Sequence, residues 1–122
     1  MLRIDWSTIY IAVVSEMREA TFLILTALAD QPRHGYGIIQ EVTVLSDGRV
    51  TLLPGTLYAA LDRLAAQGLV EFDREEVIDG RLRRYYRLRA DGRAELASQT
   101  ERLRQLATAA ESRLRALRPN LA

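Results

Sequence analysis

The sequence predicts a mainly α chain with a small β-hairpin and a long terminal helix, and three observations carry that expectation. An apolar stripe at helical spacing (Leu57, Leu61, Leu64) starts behind Pro54 and stops at Gly68. Two strand-like runs follow, Leu69 to Val77 and Leu82 to Leu88, with Asp79-Gly80 between them, a dipeptide suited to a tight hairpin turn. From Ala90 to Arg118, Leu96, Leu103, Ala110 and Leu117 recur every seven residues, with Thr100, Ala107 and Leu114 on an adjacent line. That seam has the 3.5-residue period of a helix paired with another helix.

The other elements follow in order. Residues 1–16 carry Leu2, Trp6, Ile9, Tyr10, Val13 and Val14 at helical spacing; the β-branched run at 9–14 suits a strand almost as well, and helix is the preferred reading. Residues 17–31 form a helix with Phe22, Leu25, Leu28 and Ala29 on its apolar face and Leu23, Ile24 and Ala27 alongside. So wide an apolar surface implies burial, and Pro32 ends the helix. Residues 35–46 form the next helix, its face read as Tyr36, Ile39, Val42 and Thr43. Ser46-Asp47-Gly48 turns the chain, and Val50 to Leu52 is read as one short strand. Proline at the first position of the third helix removes an amide that has no intrahelical partner, and Gly68 is read as its left-handed cap. The expected organisation is an N-terminal extension (1–16), a compact domain (17–89) and a C-terminal helix (90–122).

A chain of 122 residues that is 48% apolar has the size of a single domain with a modest core. It has no cysteine, which excludes disulfides, zinc–cysteine sites and thiol chemistry. No apolar run reaches the roughly 18 residues needed to span a bilayer. With no cleavage signal evident behind the apolar run at 9–14, the chain reads as cytoplasmic.

Net charge is only +1, but it is unevenly placed. Residues 1–80 hold six arginines against twelve acids, whereas residues 81–93 hold six arginines against Asp91 alone. Local positive charge of this kind is what a phosphate-contacting patch requires; the plainer reading is a solvated strand face. All seventeen cations are arginine, so every basic contact can be a two-pronged fork on phosphate or guanine. On alternation, Leu82, Arg84, Tyr86 and Leu88 share one strand face and Arg83, Tyr85 and Arg87 the other. Arg83 and Arg87 are expected to point outward, and Arg84, near the tip, to reach a phosphate.

Catalytic signals are almost absent. His34 is the single histidine, and its place in the turn Pro32-Arg33-His34-Gly35 favours a capping role, with no second ligand at metal spacing. Ser7, Ser15, Ser46, Ser98 and Ser112 have no glycine-elbow context. Asp73, Glu75 and Glu76 read as a solvated strand edge. No enzyme, metal or cofactor is expected.

Helix, then hairpin, with arginine concentrated on the hairpin, is the layout of a winged helix-turn-helix. The third helix is the candidate reader of DNA. Small residues at 55, 56, 59 and 60 allow close approach, Arg63 has the geometry to bond guanine O6 and N7, and Tyr58 can donate to a phosphate, stack on a sugar or lie under the wing. Asp62 either orients Arg63 or discourages other bases. The long last helix, at about eight turns, outruns the small domain, which favours a homodimer through Leu96, Thr100, Leu103, Ala107, Ala110, Leu114 and Leu117 over a helix folded back on its own domain.

TFLILTALADQPRHGYGIIQEV, LLPGTLYAALDRLAAQGLVE and GRLRRYYRLRADGRAEL together span about residues 21–97, and in this combination the chain resembles the PadR family of bacterial transcriptional regulators, in its shorter subfamily with one C-terminal helix. The resemblance implies a dimeric winged-helix repressor that binds an operator in double-stranded DNA. It implies that the PGTLY helix enters the major groove through Gly55, Thr56, Tyr58 and Arg63. Tyr36 is then expected near the DNA backbone, and Arg81, Arg83 and Arg84 on the wing. The chain departs from the pattern at Arg89-Ala90-Asp91, a weak helix cap. Some drug-binding relatives carry a tryptophan on the dimer helix, but this helix has no aromatic residue. Trp6 and Tyr10 are the candidates for a small-molecule effector pocket. The competing reading is a winged-helix module that docks proteins; the arginine-rich segment favours nucleic acid.

Overall fold

The computed structural model describes residues 18–121; the extension, with its proposed effector residues Trp6 and Tyr10, lies outside them. Helix α1 runs through residues 18–27. It closes earlier than Pro32, because the Leu28 amide is shared between the carbonyls of Ile24 and Leu25 and the Ala29 amide reaches Thr26, a tightening common at helix ends. A two-residue strand β1 (Arg33–His34) leads directly into α2 (Gly35–Leu45); α3 is Pro54–Ala66, β2 Val70–Ile78, β3 Arg81–Leu88 and α4 Ala90–Leu121.

The sheet is antiparallel in the order β1-β3-β2. The expected strand at Val50 to Leu52 does not form. The Ser46 hydroxyl accepts the Val50 amide (3.0 Å) and donates to the Val50 carbonyl (3.3 Å), so neither backbone group is available to a ladder. The third strand is Arg33–His34 instead, paired to Tyr86 and Tyr85. Between β2 and β3 the turn is two residues, with positive φ at both Asp79 (52°) and Gly80 (76°), the geometry whose twist matches the flanking strands.

The core gathers one face from each helix and the base of the hairpin: Leu23, Ile24, Leu25, Ala27 and Leu28 of α1 with its following turn, Ile38 and Val42 of α2, Leu57, Leu61 and Leu64 of α3, and Val70 and Leu88. Truncating one of the wholly buried leucines to alanine should cost about 2–5 kcal/mol. Two expectations about faces are corrected here. Ala29 is exposed, since the helix has already ended, and α2 buries Gly35, Ile38 and Val42 rather than Tyr36, which stands in solvent. α3 ends as its sequence implies. Gly68 has φ +76°, and the amides of Gly68 and Leu69 return to the carbonyls of Ala65 and Leu64 (both 3.0 Å), the paired bonds of a left-handed cap.

α4 starts tightly packed. The Leu69 carbonyl accepts from the Arg89 amide (2.9 Å), and a side chain at Gly92 would collide with that same carbonyl. Leu96 packs against the core, but from residue 101 to 117 every described residue is exposed.

Candidate nucleic-acid interface

Three elements meet on one side of the molecule: the start of α2, the middle of α3 and the hairpin. Their junction is Tyr58, whose ring lies across Gly35 so closely that a Cβ there would be 2.5 Å from the phenol oxygen. Tyr58 remains 45% exposed, one part covered against the start of α2 and the rest open. Burial, chiefly, holds the Tyr86 phenol above its ordinary range; Arg84 opposes that shift, while Tyr58 and Asp62 add to it. Arg84, Tyr58 and Asp62 therefore all lie close enough to the Tyr86 phenol to act on its charge.

His34 builds the start of α2. Its backbone is extended, and its Nδ1 accepts the Gly37 amide (3.0 Å), satisfying one of the amides that a helix start leaves unpaired. Its ring lies parallel to that of Tyr36 at 6.5 Å and edge-on to Tyr85 at 5.3 Å. Burial, then the nearby Arg83 charge, lowers its pKa, which keeps the ring neutral and able to accept. Tyr36 is 54% exposed, with the Arg83 guanidinium 5.7 Å from its ring centre. Arg83 is thus half-buried beside α2 rather than pointing freely outward.

At the start of α3 no side chain caps the helix, and Pro54 is followed by Gly55 and Thr56, both exposed. With Leu57, Leu61 and Leu64 inward, the helical period turns Gly55, Ala59 and Asp62 outward, puts Tyr58 on the wing flank, and leaves Thr56 and Arg63 on the α1 flank. Ala60 is buried, so the small outward surface is made by Gly55, Thr56 and Ala59 alone. Arg63 sits late in the helix and its Nη2 donates to Thr21 Oγ1 on α1 (2.9 Å).

The wing is less positive than the arginine count implies. β2 places acids opposite the arginines of β3: Glu71 faces Arg87, Glu75 faces Arg84 and Glu76 faces Arg83. Asp73 is the extra residue where the register shifts between Phe72 and Arg74. It accepts from both Arg74 (2.6 Å) and Arg87 (3.2 Å). Arg87 also holds Glu71 (2.8 Å), Arg74 holds Glu76 (2.7 Å), and Arg84 approaches Glu75 (3.9 Å) over the Phe72 ring. Asp73, Glu75 and Glu76, read from sequence as a solvated edge, are the counter-ions of the wing. Spacing along the chain conceals the pairs with Arg84 and Arg87, because those arginines lie on the other strand. Among the described residues, Arg81 and Arg83 have no ion pair.

On α4, Leu103, Leu106, Leu114 and Leu117 are 49–64% exposed. Leu106 belongs to the stripe and was missed by the sevenfold count, which followed the neighbouring line through Ala107. Among the described residues, no helix is long and apolar enough to cross a membrane, and no cluster of three or more His or acidic side chains is placed to hold a metal.

This architecture, three helices and a β-hairpin wing followed by one long helix, defines a winged-helix protein. Residues 24–98 match the model of the transcriptional regulator PadR-like family, and the chain belongs to that family. It is 43% identical over 84 residues to transcriptional regulator Rv3488 of Mycobacterium tuberculosis, covering 69% of this chain and 75% of that one. It is similar in structure to a PadR family transcription regulator of Clostridium difficile (25% identity, TM-score 0.65, 78% of this chain and 97% of the other). Bacillus subtilis PadR in complex with operator DNA shares the fold at 22% identity and TM-score 0.60, over 69% of this chain and 48% of that one.

Proposed function

We propose that this regulator works as a homodimer that binds operator DNA in a sequence-specific manner and represses transcription, with release by a small-molecule effector. The observation that carries the DNA reading is the junction of Tyr58 on Gly35. It joins α3, with its uncapped start, to the start of α2, and Arg83 beside Tyr36 brings the wing to the same surface. An uncapped helix start leaves amides aimed outward, and such ends bind phosphate. Gly55, Thr56 and Ala59 present little bulk, so α3 can lie deep in a major groove. Tyr36 and Arg83 take the adjacent phosphate, and Arg81 and Arg84 follow the backbone along the wing. The wing's exposed ion pairs contribute little stability, so an arginine can exchange a glutamate for a phosphate at low cost. Arg63 faces α1, and we assign base reading to the residues around Thr56 instead.

The exposed leucine stripe of α4 supports the dimer. Large apolar side chains in a continuous row on a helix are costly to leave in water, and a second copy offers the same row. Titrating labelled genomic fragments with the protein at low salt, alongside sedimentation equilibrium, tests both halves. A dimer with tight, salt-sensitive binding is expected; a monomer that ignores DNA rejects the reading.

A further inference from the structure

On the α1 flank of α3, away from the wing, Arg18 of α1, Arg63 of α3 and Arg102 of α4 line one pocket of about 490 Å³, together with Thr21, Glu95 and Gln99. Eight other arginines of the described residues sit in ion pairs. These three do not. Arg63 is bonded only to the Thr21 hydroxyl, and Glu95 is turned to Gln99, whose Nε2 donates to it (2.8 Å). Three guanidiniums drawn from three different helices, with one acid among them, give the pocket a net positive lining that an anion would neutralise. Guanidiniums bind carboxylate and phosphate in two-pronged geometry, and the volume suits a metabolite rather than a single ion.

We infer that this pocket is a binding site for a small multivalent oxyanion, a phosphorylated or polycarboxylate metabolite, clamped by Arg18, Arg63 and Arg102. A ligand there ties the reading helix α3 to α1 and to the start of the α4 arm. Its occupancy therefore sets the angle between the DNA-reading surface and the dimer arm. Only this regulatory consequence rests on the DNA-binding function proposed above; the ligand site itself does not.

Calorimetry without DNA tests the site, using pyrophosphate and citrate as probes at ionic strength matched with sodium chloride. Saturable binding of at least one probe is expected, and preference between the two separates phosphate from carboxylate recognition. Arg18→Gln and Arg102→Gln should each weaken it tenfold or more, whereas Arg113→Gln, an unpaired arginine farther along α4, should not; circular dichroism establishes that each variant is folded. No saturable binding, or equal binding by the variants, overturns the site. With operator present, the bound probe should change DNA affinity several-fold in the wild type and leave Arg102→Gln unaffected. Unchanged affinity overturns the regulatory role, and a lower salt slope in Arg102→Gln would assign the cluster to DNA phosphates and overturn the ligand site.

Discussion

Gly35 and Tyr58 are in contact across two helices, with space at residue 35 for a hydrogen but not for a methyl group: an added Cβ would lie 2.5 Å from the Tyr58 oxygen and 3.0 Å from Cζ. Gly35→Ala must therefore push the ring aside. Because the atom met is the far end of a half-exposed side chain, the expected stability cost is about 1 kcal/mol or less, the low end of the overpacking range, with a larger proportional loss of DNA affinity. In a Tyr58→Ala background the same change should cost almost nothing. Urea denaturation of the four proteins in a double-mutant cycle checks this; equal costs in both backgrounds would show that the contact is not what requires glycine.

His34 makes stability depend on pH. Its folded pKa is held below the ordinary 6.5 by burial and by Arg83, so between pH 7 and pH 5 the unfolded chain takes up more protons than the folded one. Stability is then complete above about 6.5 and falls as the pH drops towards the folded value, because a protonated Nδ1 cannot accept the Gly37 amide. His34→Asn keeps a capping acceptor and should flatten the profile over this range. His34→Ala should cost about 1 kcal/mol at pH 7.5, the usual worth of a cap. Denaturation midpoints across pH would show it; an unaltered slope in His34→Asn contradicts the assignment.

The wing arginines should separate by their partners. Arg81→Ala and Arg83→Ala, which remove charges without an acidic partner, should weaken binding to all DNA sequences and lower the salt slope by about one each. Arg84→Ala should do the same to a smaller extent, because Glu75 already offsets its charge. Arg87, held by Glu71 and Asp73, should change the slope little. Affinities measured from 50 to 200 mM salt decide this; equal slopes for Arg83→Ala and wild type would remove the wing from the interface.

Arg63 provides a sharper case. Its sequence position suits a guanine reader, but its side chain is bonded to α1. Arg63→Ala should leave base preference unchanged at every position of the half-site, as measured on singly substituted operators. Relaxed discrimination at one base pair would restore it as a reader.

How much of this was legible depends on how local the signal is. Pro54, the leucine stripe, Gly68 and Asp79-Gly80 specify α3 and the hairpin through interactions within a few residues, and the structure has them as read. The strand at Arg33–His34 was not legible, because two residues carry no period and their pairing is with Tyr85 and Tyr86, some fifty positions away. The counter-ions of Arg84 and Arg87 were missed for the same reason. Helical spacing puts Tyr36 on one line with Ile39 and Val42, but it stands in solvent; the family resemblance, not the spacing, made it an interface candidate, and in the structure Arg83 lies beside it.

The most direct measurement is selection of bound duplexes from a random pool at 150 mM salt, with wild type and with Leu106→Glu. The expected result is an inverted repeat whose half-sites lie about one helical turn, roughly 34 Å, apart, lost when the leucine stripe is broken. A pool that stays unenriched, or an enriched single half-site that Leu106→Glu binds as well as wild type, would contradict a dimeric reader of DNA.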